Sequence, residues 1–376
     1  MEVYLDNAAT TRVCTEAADI AYKVMTECYG NPSSTHTKGR EAKTYLDAAR
    51  AQIAKALGCA VSEVYFTSCG SESDVWAITK GAESMSRRGK HIISSAVEHD
   101  AVRKTLADLE ARGYEVTYLK PEQDGSISVQ AVKNALRSDT VLVTLMMVNN
   151  ETGGVTDIAG IAKMLKAEGS KALLHTDAVQ GFMKLPFSAK KLGADMISIS
   201  GHKIHAPKGI GALYIKTGVK IKPLIHGGAQ ESGLRAGTEA MPQIAAFGKA
   251  AEIAFAGMKE NCEKIAKLRE SAASAICAEM PEAVIIGGGA PHILSVSLPG
   301  WRSEVLMNFL EAKGIFVSRS SACKKGGRSH VLEAMGLSAP IIDGAIRISF
   351  SRMNTQSDVD ALVSALKEAH DTLAHR

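Results

Sequence analysis

The chain has 376 residues, 45% of them hydrophobic, which is enough to bury a large core in two domains or in one large and one small. A net charge of +4 with 22% charged residues and no Lys/Arg block argues against a nucleic-acid partner. The opening "MEVYLDNAATT" carries acids early and lacks an apolar segment, so no signal peptide is expected; the longest apolar run, "TVLVTLMMV", is too short to span a bilayer.

In chain order, short β-branched runs alternate with Ala/Leu-rich amphipathic stretches. Strands are expected at 64–67, 91–95, 141–148, 172–177, 196–200 and 211–215, with helices at 72–86, 100–111 and 158–167 among those that fill the gaps. This alternation predicts an α/β unit with a mostly parallel, helix-covered sheet. "HGGAQESGLRAGT" (226–238) is too polar and glycine-rich for a core element and reads as a functional loop. One long helical stretch follows, roughly 241–280. Then the pattern changes, with strands at 293–298, 315–318 and 345–350 in a smaller α+β C-terminal domain. The last helix shows Val359, Leu362, Val363 and Leu366 at helical spacing, with Thr355 and Asp358 in capping-box positions. The seven cysteines are scattered and form no CxxC pair, which suits a reducing cytosol and argues against a disulfide framework or a metal site.

Several polar spots interrupt these elements. "HTDAVQG" ends an apolar strand at Asp177; ligands gather beyond strand ends in α/β sheets, and a carboxylate there can equally cap the next helix. "FTSCGSESD" (66–74) leads a strand through a small-residue turn into a helix, whose free N–H groups and positive dipole end suit a phosphate. His99 stands just past a strand, in a place that serves structure or function. "SGHKIHAPKGIG" (200–211) puts Lys203 at another strand end. Together a strand-end lysine, a strand-end acid, a phosphate-type turn at Gly70 and Ser71, and a strand-end imidazole are the parts that a pyridoxal 5'-phosphate (PLP) site needs.

The sequence resembles the NifS-like cysteine desulfurases, within the class V aminotransferase group of fold-type I PLP enzymes. The resemblance rests on "YLDNAATT" (4–11), "GNPSSTH" (30–36), "FTSCGSESD", "EHDAV" (98–102), "VNNETGG" (148–154), "HTDAVQ", "SGHKIHAPKGIG", "GGAQESGLRAGT" and "SSAC" (320–323), which stand in the family's order along nearly the whole chain. It implies a large PLP-binding domain at 15–255 and a small domain at 256–376 with 1–14. It also implies roles. Lys203 would carry PLP as a Schiff base and move the Cα proton. His99 would stack on the ring and handle protons. Asp177 would pair with the pyridine nitrogen, and Gln180 would reach the ring hydroxyl. Gly70, Ser71, Ser200 and His202 would hold the phosphate, with Thr238 reaching the phosphate of a neighbouring subunit in a homodimer. Asn150 and Arg347 would bind the substrate carboxylate.

The implied reaction converts L-cysteine to L-alanine and leaves the sulfur as a persulfide on Cys323. Lys324, Lys325 and Arg328 would favour the thiolate. The sulfur would pass to an acceptor protein for iron–sulfur cluster, thio-cofactor or tRNA synthesis. Neither a metal, nucleic acid nor a membrane is expected at the site. The sequence departs from the family's usual pattern at Cys69, where a small residue is usual, and at Ser71, where Thr is usual. A short segment after Cys323 puts direct delivery to a distant scaffold in question. A selenocysteine lyase or cysteine sulfinate desulfinase of the same fold would share the cofactor residues but would not need Cys323. A silent sulfur-assembly subunit is disfavoured, because no expected PLP residue is missing.

Overall fold

The computed structural model describes residues 2–319 and 328–373. Its centre is a seven-stranded sheet in the order Val64–Thr67, Gly211–Ile215, Met196–Ser200, Leu173–Asp177, Thr140–Met146, His91–Ser95 and Glu115–Leu119. Gly211–Ile215 runs antiparallel to both of its neighbours, and the other pairings are parallel. The inner strands are buried from end to end, as β-branched runs covered on both faces should be. Alternate residues enter separate cores. Ile93, Val143 and Ile197 join one cluster with Phe247, while Ile92, Leu142 and Met196 join another with Trp76.

Sequence periodicity placed most strands correctly, and the differences have local causes. The helix expected at 72–86 runs Gly70–Ser84, because Cys69 is still extended at φ −173° and the chain turns at the glycine. A Cβ on Gly70 would stand 2.7 Å from Val179 Cγ2, so only glycine lets the helix start this close to the neighbouring strand end. The stretch at 241–280 is two helices, Met241–Ala256 and Met258–Glu279, broken at Gly257. The first packs against Thr15–Thr26 and Thr37–Leu57. A Cβ on Gly248 would lie 2.6 Å from Ala49 Cα, so the two helices meet nearly backbone to backbone. Edge strand Glu115–Leu119 has mixed exposure and lacks the apolar run that marks the inner strands.

A second sheet is antiparallel, in the order Ser318–Arg319, Ala345–Ser349, Ile293–Ser297 and Val284–Ile286. The expected strand at 315–318 is divided: Ile315–Phe316 pairs instead with Val3–Tyr4 in a separate parallel ribbon. Val3 and Leu5 are thereby buried in the core of the second sheet with Leu294, Ile348 and Leu366. Asp358 accepts from the Thr355 N–H at 3.0 Å, the side-chain half of the expected capping box. From this ribbon the N-terminal segment crosses to the large sheet. Asn7 Nδ2 donates to Ser349 O at 2.9 Å, and Thr11 Oγ1 donates to His202 O at 2.9 Å.

Candidate active site

Parallel strands bring their carboxyl ends to one edge of a sheet. Here Met146, Asp177 and Ser200 end three adjacent strands, and Glu98 and His99 follow the end of a fourth. Together with Gly70, Ser71, Lys203 and Arg347 they line a cavity of about 370 Å³, within the range of small-molecule sites.

Lys203 lies in a single 3-10 turn, Gly201–Lys203, directly after its strand. Its Nζ donates to Ala8 O at 2.6 Å and Ala9 O at 2.8 Å. The turn is docked on the N-terminal segment: His205 takes φ 70°, its N–H donates to Thr11 Oγ1 at 2.7 Å, and its carbonyl accepts from Cys14 N at 3.0 Å. Such a left-handed non-glycine residue persists only where its surroundings hold it. Burial, reinforced by the Arg347 charge, pushes the Lys203 amine down to about 8. At pH 7 about a tenth of it is then the neutral nucleophile, against roughly 0.03% for an ordinary lysine. The rate at which the apoprotein captures an aldehyde at Lys203 should therefore rise about tenfold per pH unit below 8 and level off above it. Stopped-flow absorbance with PLP measures this, and a rise continuing to pH 10 would return Lys203 to the ordinary lysine range.

Beneath the cavity lies a buried acidic layer. Asp177 accepts from Val179 N at 2.9 Å, so it does act as a local turn cap while it lines the cavity. Burial raises its carboxyl, and His99 and Lys203 oppose that shift. Asp74 is also fully buried, and its Oδ1 has no hydrogen-bond partner. Burial first, then the charge of Asp177, raises it well above the ordinary range. Burial thus disfavours charge on both carboxyls, each opposes ionisation of the other, and Lys203 and His99 ease the burden at Asp177. His175 does not supply a counter-charge. Its Nε2 lies 3.7 Å from Asp74 Oδ1, but burial lowers the ring to about 3. The neutral imidazole instead bridges Thr144 at 2.8 Å and Ser198 at 2.9 Å.

The phosphate-type turn has the donors an anion needs. Gly70 and Ser71 open the Gly70–Ser84 helix, where N–H groups have no partner within the helix. Ser200 Oγ is buried and unpartnered at the same cavity. His202 is held neutral, at about 3, chiefly by burial, and its Nδ1 lies 3.2 Å from Thr10 Oγ1. It can offer a hydrogen bond but no charge.

At the opposite wall, Arg347 is 3% exposed. It donates to Asn150 O at 2.8 Å and to Asp6 Oδ1 at 2.7 Å, while its Nε has no partner. A buried guanidinium with an unused donor is suited to a carboxylate ligand. Asn150 lines the cavity and is tied to Arg347 through its backbone. His99 caps the Asp100–Ala111 helix, its Nδ1 accepting from Ala101 N at 3.2 Å, so a neutral ring carries its proton on Nε2. Gln180 is more constrained than sequence suggests. Its Nε2 donates to Ala8 O at 2.8 Å, and its Oε1 accepts from Lys184 Nζ at 3.0 Å, which leaves one Nε2 proton for a ligand.

The cavity thus gathers Lys203, His99, Asp177, Gln180, Gly70, Ser71, Ser200, His202, Asn150 and Arg347. Thr238 is exposed and is not among the residues that line it. Cys323, Lys324 and Lys325 lie outside the described residues. Arg328, counted among the cations near Cys323, forms a two-point ion pair with Asp343 at 2.9 and 3.0 Å, which offsets its charge. Sequence reasoning did not single out Asp6, Asp74, Glu98 or Glu151. Glu98 is buried, is pushed up to about 8 by burial, and takes the Met146 N–H on both oxygens. Glu151 is pushed to about 7 by burial and accepts from the Ser329 hydroxyl. For Asp6 and Glu98 the signal was an acid just past an apolar strand, whereas Asp74 and Glu151 stand among polar neighbours in "GSESD" and "NNETGG" and carried none.

The aminotransferase class-V family model matches residues 3–362. The chain belongs to this family. A cysteine desulfurase IscS of Methanosarcina thermophila is 43% identical over 371 residues, covering 97% of this chain and 91% of that protein. A cysteine desulfurase of Trichormus azollae is 40% identical, covering 99% of this chain and 93% of that protein. Among solved structures, a NifS-like protein superposes with a TM-score of 0.94 at 39% identity over 99% of this chain and 100% of that one. SspA in complex with cysteine superposes at 0.83 with 34% identity, over 94% of this chain and 99% of that one. The chain therefore stands among the NifS-like cysteine desulfurases, with their fold-type I architecture.

Proposed function

We propose that this protein is a PLP-dependent cysteine desulfurase that converts L-cysteine to L-alanine and carries the sulfur as a persulfide on Cys323. The observation that supports it best is one cavity holding a lysine with a lowered amine pKa, an anion-binding turn with an orphaned buried hydroxyl, a strand-end aspartate and a half-satisfied arginine. These groups suit PLP: Gly70, Ser71, Ser200 and His202 would donate to the phosphate, Asp177 would accept from the pyridine nitrogen, Gln180 would donate to the ring oxygen, and the Lys203 amine would take the aldehyde carbon. Bound there, PLP supplies an electron sink for the charge left on Cα and so weakens the Cβ–S bond.

The remaining work falls to the chain. Arg347 and Asn150 hold the substrate carboxylate, which fixes Cα near Lys203. Lys203 Nζ is the amine placed to accept the Cα proton. Asp177 holds the proton on the pyridine nitrogen, where an ionised carboxylate is favoured once a cation faces it. His99, on the cavity wall with Nδ1 engaged by Ala101 N, would face the cofactor ring and could supply a proton from Nε2. The Cys323 thiolate would attack the substrate sulfur; the new S–S bond forms as Cβ–S breaks, the electron pair of that bond stays with the substrate carbons, and one proton at Cβ with the return of the proton held by Lys203 to Cα yields alanine. We further infer that two copies share active sites, with exposed Thr238 serving the neighbour's phosphate, that a separate protein accepts the sulfur, and that the protein works in the cytoplasm.

Borohydride reduction of the purified protein followed by peptide mapping should place the pyridoxyl group on Lys203, and incubation with L-cysteine should release alanine. A label on Lys208, or no label, would remove the cofactor assignment. Alanine release from cysteine sulfinate or selenocysteine but not from cysteine would favour a lyase of the same fold.

A further inference from the structure

Loop 225–238 is mostly exposed, yet Glu231 within it is 7% exposed and its backbone is left-handed at φ 48°. Ser232 at φ 58° and Gly233 at φ 77° continue the same conformation. Two successive non-glycine residues in this region are unfavourable unless outside contacts hold them. The contacts are plain. Arg50 donates to both Glu231 oxygens at 2.7 Å, and Phe66 N donates to Glu231 Oε2 at 2.9 Å. Arg50 also donates to Val64 O at 2.7 Å and lies over the Phe66 ring, 4.8 Å from its centroid.

Val64 and Phe66 belong to the edge strand of the large sheet, Val64–Thr67. Residues two apart on a strand point their polar groups to the same side. The outward pair, Val64 O and Phe66 N, is therefore capped by the Arg50–Glu231 ion pair as another strand would cap it. A second ion pair acts two residues on, at Ser68. Arg235 donates to Glu72 at 2.8 and 3.1 Å, and Glu72 Oε2 accepts from Ser68 N at 2.7 Å. Both ion pairs are substantially buried. Loop 225–238 thus holds the segment leading into Gly70 and Ser71 at the Phe66 N–H directly through Glu231, and at the Ser68 N–H indirectly, through the Glu72 carboxylate that Arg235 engages. None of Arg50, Glu72, Glu231 and Arg235 is among the described residues that line the cavity.

We propose that Glu231 and Arg235 are positioning residues for the anion-binding turn. Glu231 fixes Phe66, Arg235 fixes the Glu72 carboxylate that holds Ser68, and together they set the direction in which the Gly70 and Ser71 N–H groups point, without touching the ligand. The proposal rests on PLP as the cofactor. Its test is the affinity of apoprotein for PLP compared with pyridoxal, which lacks the phosphate. Glu231→Gln and Arg235→Gln should each raise the Kd for PLP about tenfold or more, since misplaced donors lose an oriented anion. The Kd for pyridoxal should stay within about twofold, as should kcat at saturating PLP. Unchanged PLP affinity, or equal loss for PLP and pyridoxal, overturns the proposal. So does a PLP affinity regained simply by raising protein concentration, because that assigns the effect to association of copies. Should Glu231→Gln not fold, Arg235→Gln, at the more exposed ion pair, carries the same comparison. Failure of the unaltered protein to bind PLP would instead strike the cofactor reading itself.

Discussion

Lys203→Ala is expected to lose desulfurase activity by on the order of 10⁴-fold or more, because one amine both holds the cofactor and moves the Cα proton. The protein should nevertheless fold at least as well as the original. The sign follows from the amine, lowered from 10.5 to about 8 by burial. A lysine depressed in the folded state prefers to be charged in the unfolded one. It therefore weakens the fold fully below about pH 8, and this penalty fades as pH rises through the unfolded value near 10.5. At pH 7 the penalty is about 3 kcal/mol before the two carbonyl contacts are counted against it. Ala8 O keeps the Gln180 Nε2 donor in the variant. Thermal unfolding of the apoproteins at pH 7 and pH 10 measures this. The variant should match or exceed the original at pH 7, and its advantage should shrink at pH 10. A variant inactive because it is unfolded at both pH values would mean that Lys203 is structural.

The architecture was legible in the sequence wherever burial wrote a continuous apolar run. Strands 91–95, 196–200 and 211–215 match residue for residue, since their inner positions are covered on both faces. Legibility failed where structure depends on contacts distant in sequence. Val3–Tyr4 is too short to read as a strand until Ile315–Phe316 pairs with it. The helix starts at Gly70, two residues before the expected position, and only glycine fits there, because a Cβ would meet Val179 and Ser200. The same holds for the site. Lys203, Asp177 and Ser200 stand at strand ends and announce themselves, and the resemblance to a family supplied roles for them. Asp6 meets Arg347 across 341 positions, and Glu231 reaches Arg50 across 181. No periodicity encodes such pairs. A buried charge is visible in sequence as an acid in the wrong place, but its partner is supplied by the fold.

Cys323→Ser should bind PLP, bind L-cysteine and still exchange the substrate Cα proton with solvent, while sulfur transfer falls by on the order of 10³-fold or more. Binding and proton movement need Lys203, Arg347 and the cofactor; none of them needs a thiol. The transfer step does, because a serine hydroxyl is un-ionised at neutral pH and the attacking species is a thiolate. The remaining cysteines are the internal control. Cys14 and Cys28 are buried, burial raises the Cys59 thiol to about 12, and none of these three is among the described residues that line the cavity. Cys69 is the serious rival. It lines the cavity and immediately precedes the helix that opens at Gly70, a position that favours an anion. With phosphate seated on that helix end, however, the same N–H groups and dipole are already engaged, and a second negative charge beside it is opposed. Deuterium uptake at Cα, alanine yield and mass spectrometry of the persulfide should therefore separate the two. Cys69→Ser should retain all three signals, whereas Cys323→Ser should retain deuterium uptake alone. Normal alanine formation by Cys323→Ser, with its loss in Cys69→Ser, would move the persulfide to Cys69 and make the phosphate turn itself the sulfur-bearing element.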